Sequence, residues 1–335
     1  MKSLTILCIL LMSHVLYGQM IYKAGDVLTL SSGRAGTGSK LIHVDRAGNQ
    51  RIVSSGQYMM DTFGLTVDAN GNAYVASFTM DAIVKVDLST GSQELVSEGG
   101  LLNFPNQITT DKAGNLYVTV HGHTSNGSGD SPAGVVKIDI VTRIQQWVSS
   151  GDYFIQPTGL SFNRDDKLVV VRNRITPPQI VEIISPSDHT LLSEGQLLIS
   201  PVGLTIDEFN NIVIADAGYE TYGAIISIDP LTGDQTIISS GGLFHDPNSV
   251  AVDSADGTLV VADSAANALF TVNPYTGEQD VLTYIVPYPS GVVILTTEQV
   301  VLINDIPEGR HTWLAVVTLM AIVSRSFLNG KTKPK

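Results

Sequence analysis

Seven residues at the ends of short apolar runs carry the side chains with most chemistry to offer: Asn106, His121, His123, Arg172, Asp216, Asn248 and Asp263. The amide oxygens of Asn106 and Asn248, joined by the carboxylate of Asp216 or Asp263, are hard donors of the kind calcium takes. His121-Gly122-His123 offers two imidazoles for a transition metal or for acid and base work, and Arg172 adds a permanent cation. These three are the catalytic candidates. Each has a plainer reading. An Asn where a strand begins commonly hydrogen-bonds nearby backbone. Imidazoles in a Gly/Ser-rich loop such as 121–134, HGHTSNGSGDSPAG, are usually solvated. His245, beside Asp246, shares that alternative, and Tyr219 and Tyr222 offer either an aromatic contact for a ligand or a cover over it. No Gly-rich phosphate loop, HExxH helix or Gly-x-Ser-x-Gly elbow is present, so nucleotide and α/β-type serine-hydrolase chemistry are unsupported.

The elements that must position these groups repeat. The stretch 201–242 holds four apolar runs, 203–206, 212–215, 224–228 and 235–239, rich in Ile, Val, Leu and Thr. β-Branched side chains suit a pleated surface, so these read as strands. Asp207-Glu208-Phe209-Asn210-Asn211 closes the first pair and Asp229-Pro230-Leu231-Thr232-Gly233 the third, both as tight hairpins. The Gly-Leu that begins this unit at Gly203 occurs also at Gly64 and Gly159, with related starts at Gln107, Ser249 and Gly291. Successive starts lie 43, 52, 44, 46 and 42 residues apart. A four-stranded unit of that period cannot bury both faces alone, and stacked copies make a β-propeller.

Residues 24–56 resemble the later part of such a unit, and 291–295 a first strand without its successors. Five complete blades plus this composite give an all-β, six-bladed propeller of four-stranded antiparallel blades, closed by N- and C-terminal strands that share one blade. Residues 26–30 and 299–303 both qualify as the second strand of the closing blade. Within each blade, call the strands a to d. The a–b and c–d hairpins then lie on one face, where Asp68, Asp111, Asp207 and Asp253 cap turns. The b–c and d–a connections lie on the other face and vary in length and chemistry. All seven candidates fall on that variable face, around the channel mouth.

The ends differ from the repeats. Residues 1–18, with Lys2 ahead of the apolar run 4–12 and Gly18 at a plausible cleavage point, read as a secretory signal peptide. Cys8, the only cysteine, lies within it, so no thiol or disulfide is expected in the mature protein. Residues 19–304 form the propeller. Residues 305–335 carry Pro307-Glu308-Gly309, an apolar run at 313–323, then Arg325, Lys331, Lys333 and Lys335. That run is shorter than the ~20 residues of a relaxed membrane span. Basic residues behind it favour a sorting or anchoring role, and the order resembles bacterial PEP-CTERM tails. Without the two terminal segments, 13 Lys+Arg stand against 30 Asp+Glu, near −17 for the body. So acidic a surface argues against nucleic acid and anionic lipid, and suits an exported protein that attracts cations.

The pattern Pro-x-Gly-Leu-x-x-Asp, Gly-Asn-x-Tyr-Val and Ile-x-x-x-Asp-Pro-x-Thr-Gly resembles NHL-repeat propellers over nearly all of 24–304. It is also similar to the six-bladed gluconolactonase and virginiamycin B lyase group. That resemblance implies two functions. One is an exported or envelope-associated binding module that presents its variable face to a protein, a glycan or a small molecule. The other is a calcium-assisted lactonase or lyase acting at the channel mouth. Asn106 in Phe-Pro-Asn-Gln and Asn248 in Asp-Pro-Asn-Ser resemble the calcium-ligating asparagines of the gluconolactonase group, whose glutamate ligand has no counterpart here. A monomer is expected, with membrane contact only through the C-terminal segment.

Overall fold

A computed structural model describes residues 22–33, 38–122, 132–151, 153–218, 222–285 and 288–304; for 301–304 it describes the backbone alone. The runs of β-branched residues form strands, four to a sheet, in six antiparallel sheets. Blade I runs Thr62–Val67, Ala73–Ser77, Ala82–Val86 and Gln93–Glu98. Blade II runs Pro105–Thr110, Leu116–Val120, Gly134–Ile138 and Gln145–Ser150. Blade III runs Pro157–Phe162, Leu168–Arg172, Gln179–Ser185 and Asp188–Glu194. Pro201–Ile206, Ile212–Asp216, Ala224–Ile228 and Gln235–Ser240 make blade IV. Blade V comprises Pro247–Val252, Leu259–Asp263, Ala268–Val272 and Gln279–Tyr284.

Blade VI closes the ring. Its strand a is Pro289–Ile294, paired antiparallel with Val27–Ser31 as strand b; Lys40–Val44 and Gln50–Ser55 follow. The ambiguity over strand b is thereby resolved. Residues 299–303 lie instead in the helix Thr297–Asn304. A reciprocal cap starts it: the Gln299 N–H donates to Thr296 Oγ1, and Gln299 Oε1 accepts the Thr296 N–H. Gln299 also donates to the carbonyls of Val67 and Asp68, which fastens the helix to blade I.

Apolar burial is distributed around the ring. In five of the six blades every residue of strand b is buried, because neighbouring sheets cover both its faces. Six clusters of buried side chains each straddle one blade boundary; Val213, Phe244 and Phe270 belong to the one between blades IV and V. At the channel the strands a approach so closely that the third position is mostly Gly. A Cβ on Gly64 would stand 2.5 Å from the Asn106 carbonyl oxygen, and one on Gly203 2.7 Å from that of Asn248. The repeated Gly-Leu therefore reflects contact between blades at the axis.

One polar contact recurs at every boundary. Gln50, Gln93, Gln145, Gln235 and Gln279 open the strands d of their blades. Each donates through Nε2 to a Ser or Thr hydroxyl near the end of strand d in the preceding blade (Thr283, Ser54, Ser97, Ser193 and Ser239) at 2.7–2.9 Å. In blade III His189 takes this place, its Nε2 2.8 Å from Ser149 Oγ. The Ser149 hydroxyl itself donates to the Pro186 carbonyl, which leaves the imidazole as the donor in this pair. Sequence reading overlooked this latch, although the pattern Gln-x-x-x-Ser was visible in it.

Candidate functional site

The mouth of the channel, on the face of the b–c and d–a connections, is built by the starts of the six strands a. Their second residues are Phe63, Asn106, Thr158, Val202, Asn248 and Ser290. Three of these side chains reach the carbonyl that opens the next blade. Thr158 donates to Pro201, Asn248 Nδ2 to Pro289 and Ser290 to Thr62, at 3.2, 3.1 and 2.8 Å. This supports the plainer reading for one half of Asn248, its NH₂ group.

Its other half, and Asn106, behave differently. Both asparagines line a cavity of about 480 Å³ together with Asp61, Phe63, Phe78, Gln107, Val202, Asp246, Tyr288 and the start of the closing strand. Asn106 is 7% exposed. The Oδ1 atoms of Asn106 and Asn248 are buried and accept no hydrogen bond. Buried polar atoms are nearly always paired, and an orphan costs about 1–3 kcal/mol. Among the described residues six side chains carry such orphans, and five of the six (Thr62, Asn106, His121, Arg172 and Asn248) stand on this face. The aromatic wall is continuous: Phe78 meets Phe63, Phe104 and His121 at ring distances of 5.2, 4.9 and 5.5 Å.

The remaining candidates are placed elsewhere. Asp216 is buried beneath the d–a connection, its carboxylate accepting the N–H groups of Ile199, Ser200 and Gly218 at 2.8–3.0 Å. Asp263 is fully buried and accepts those of His245, Asp246 and Ala266 at 2.7–3.0 Å. Both tie the incoming chain to the end of strand b, and neither lines the cavity. Arg172 lies with its guanidinium 3.6 Å from the Tyr153 ring centre and donates to Gln179 Oε1. His245 is exposed, with Nδ1 3.0 Å from the Leu243 carbonyl oxygen. Tyr222 is exposed, whereas His123 and Tyr219 lie outside the described residues.

His121 sits against Phe78 with Nε2 buried and unpaired. Burial lowers its pKa to about 4; the Arg174 charge acts in the same direction, while a hydrogen bond to the Pro157 backbone opposes them. In the unfolded chain an imidazole titrates near ~6.5. Between those values the unfolded state binds a proton that the folded state does not. The stability held by neutral His121 is therefore complete above about pH 6.5, declines as pH falls through the window, and levels off below about pH 4. The expected loss is at most about 3 kcal/mol, and His121→Phe should remove most of that slope. Urea unfolding of both proteins at pH 7 and pH 4.5 measures it. An unchanged slope in the variant would assign the acid sensitivity to other groups.

A larger hollow, about 700 Å³, lies on the opposite face between blades IV and V. Asp207 and Asp229 in its wall cap their own hairpins, accepting the N–H groups of Phe209 and Leu231, and none of its lining side chains holds an orphan. Asp68 and Asp111 cap their turns likewise, as expected. We therefore place the candidate site at the mouth.

Three of its residues escaped the sequence reading: Asp61, Phe63 and Phe78. The available signal was a departure from the repeat, since blade I begins Asp61-Thr62-Phe63 where the other five carry Pro as the first residue of strand a.

No protein-family model matches the chain, and no curated protein matches it in sequence. Among solved structures, the chain is similar to one from a crystal structure of a nidogen/laminin complex, with a TM-score of 0.63 and 15% identity. The match covers 80% of this chain and 97% of that one, and at this identity it concerns the fold alone.

Proposed function

We propose that this propeller is a binding module of NHL type that engages a protein partner through the channel mouth. The observation that carries this reading is the pair of unsatisfied buried amide oxygens, those of Asn106 and Asn248, in the wall of a cavity that also holds Phe63 and Phe78. Polar atoms left open in a pre-formed concave site are completed by a ligand. That the structurally similar chain comes from a protein complex accords with this reading. Panning a random-peptide phage library on the protein supplies probes. Binders should lose roughly tenfold or more in affinity for Val202→Arg, which fills the mouth, and keep it for Phe209→Arg on the far face. The opposite pattern would overturn the reading.

A second reading, the calcium-assisted lactonase or lyase, is favoured by the open Oδ1 atoms of Asn106 and Asn248. Calcium calorimetry on the wild type and Asn106→Leu separates it from the first: stoichiometric binding lost in the variant supports an ion site. No binding in either protein would remove it.

For location we propose export directed by residues 1–18 and retention at the envelope by 305–335, on the strength of their apolar runs and basic flanks. Among the described residues no helix is long and apolar enough to cross a membrane. Cell fractionation with and without 305–335 tests the proposal, and equal release of both forms would defeat it.

A further inference from the structure

We infer that the channel mouth is shaped to receive the basic side chain of a partner peptide, a lysine ammonium or an arginine guanidinium. The inference rests on the binding-module reading and specifies its ligand. Both buried side-chain atoms that lack a partner among the residues lining it are acceptors. The Oδ1 atoms of Asn106 and Asn248 are unpaired, and the orientation of Asn248 is fixed because its Nδ2 donates to the Pro289 carbonyl. The Asp61 carboxylate, also in the cavity wall, makes no side-chain hydrogen bond or ion pair with any described residue. Asp246, in the same wall, accepts the Ser264 hydroxyl through Oδ2.

No Lys, Arg or His is among the described residues that line the cavity. A group with several N–H donors and a positive charge answers this set; a carboxylate or phosphate would be repelled. Phe63 and Phe78, edge to face at 5.2 Å, add ring surface of the kind that attracts a cation.

Ring geometry distinguishes this ligand from a bare metal ion. Blades II and V, which carry Asn106 and Asn248, stand three apart in a ring of six and so face each other across the axis. Calcium asks six to eight oxygens to converge at about 2.3–2.6 Å. Two acceptors on opposite walls instead flank an inserted group that carries several donors. The net charge of −13 draws cations toward the molecule in general, and the mouth supplies the fixed partners that make one position specific.

The test uses the full chain and three blocked tripeptides, Gly-X-Gly with X as Lys, Arg or norleucine, titrated by calorimetry at low salt. The Lys or Arg peptide should bind roughly tenfold more tightly than the norleucine peptide. Asp61→Asn and Asn106→Leu should each weaken it by about fivefold or more, while Asp229→Asn on the far face should leave it unchanged. Asn tolerates the left-handed backbone at position 61 (φ 47°), so Asp61→Asn keeps the test available even if Asn106→Leu unfolds. Equal binding of all three peptides overturns the inference, as does equal weakening by Asp229→Asn, which would reflect diffuse charge alone. Displacement of the Lys peptide by stoichiometric calcium would overturn it in favour of an ion site. If no tripeptide binds while library binders are still lost on Val202→Arg, the basic-side-chain inference falls and the binding-module reading stands.

Discussion

A chain ending at Tyr288 should fail to unfold cooperatively and should aggregate. That truncation removes Pro289–Ile294, the strand through which the two ends of the chain meet. Strand Val27–Ser31, buried along its whole length, would become an open edge, and such edges recruit other chains. Val292 and Leu295 would be lost from two blade boundaries, together with the paired backbone bonds of Leu295 to Gly25 and Asp26 at 2.8 Å. Burial of two such side chains contributes roughly 3–6 kcal/mol. A domain of this kind holds a total of only about 5–15 kcal/mol. Size-exclusion chromatography and calorimetric unfolding measure the outcome. A monomeric truncation with an unchanged midpoint would show that the ring closes without this strand.

Asp263→Asn should reduce unfolding free energy by about 3 kcal/mol or more, equally in calcium and in chelator. The carboxylate is fully buried and takes the N–H groups of three residues from two sides. An amide of the same shape turns an NH₂ group toward some of those donors, leaving them unsatisfied in a dry site. Urea unfolding in both buffers gives the answer. A loss confined to the calcium-containing buffer would restore Asp263 as an ion ligand.

Those two cases show what was legible in the sequence and what was not. Gly203-Leu204 and its relatives could be read because close approach at the axis restricts residue type. The turns Asp-x-x-Gly-Asn could be read because capping is local. The second strand of blade VI could not be chosen, since 26–30 and 299–303 have similar apolar content; the deciding feature is the cap between Thr296 and Gln299. At the site, Asn106 and Asn248 stood out as amides at the starts of strands a, and the structure brings both to one cavity. Asp216 and Asp263 stood out equally but serve the backbone. A carboxylate that caps a connection and one that awaits a ligand have the same letter, and only the direction of the surrounding N–H groups separates them. Asp61 was missed for the converse reason. Its significance lies in what fails to approach it.

The glutamine latches have a further consequence. All point the same way round, each blade holding the one before it, and the two boundaries of blade VI are latched by Gln50, which holds blade V, and by Gln93 of blade I, which holds blade VI. The polypeptide has two ends, but the circle of latches has none. The join in blade VI is thus a matter of covalent bookkeeping, and the ring is mechanically seamless. New termini opened at any other d–a connection, with the old ones bridged, would leave every latch in place. What distinguishes one sector from another is the lining of the mouth, so a rotated chain would carry the same recognition surface at the same angles about the axis.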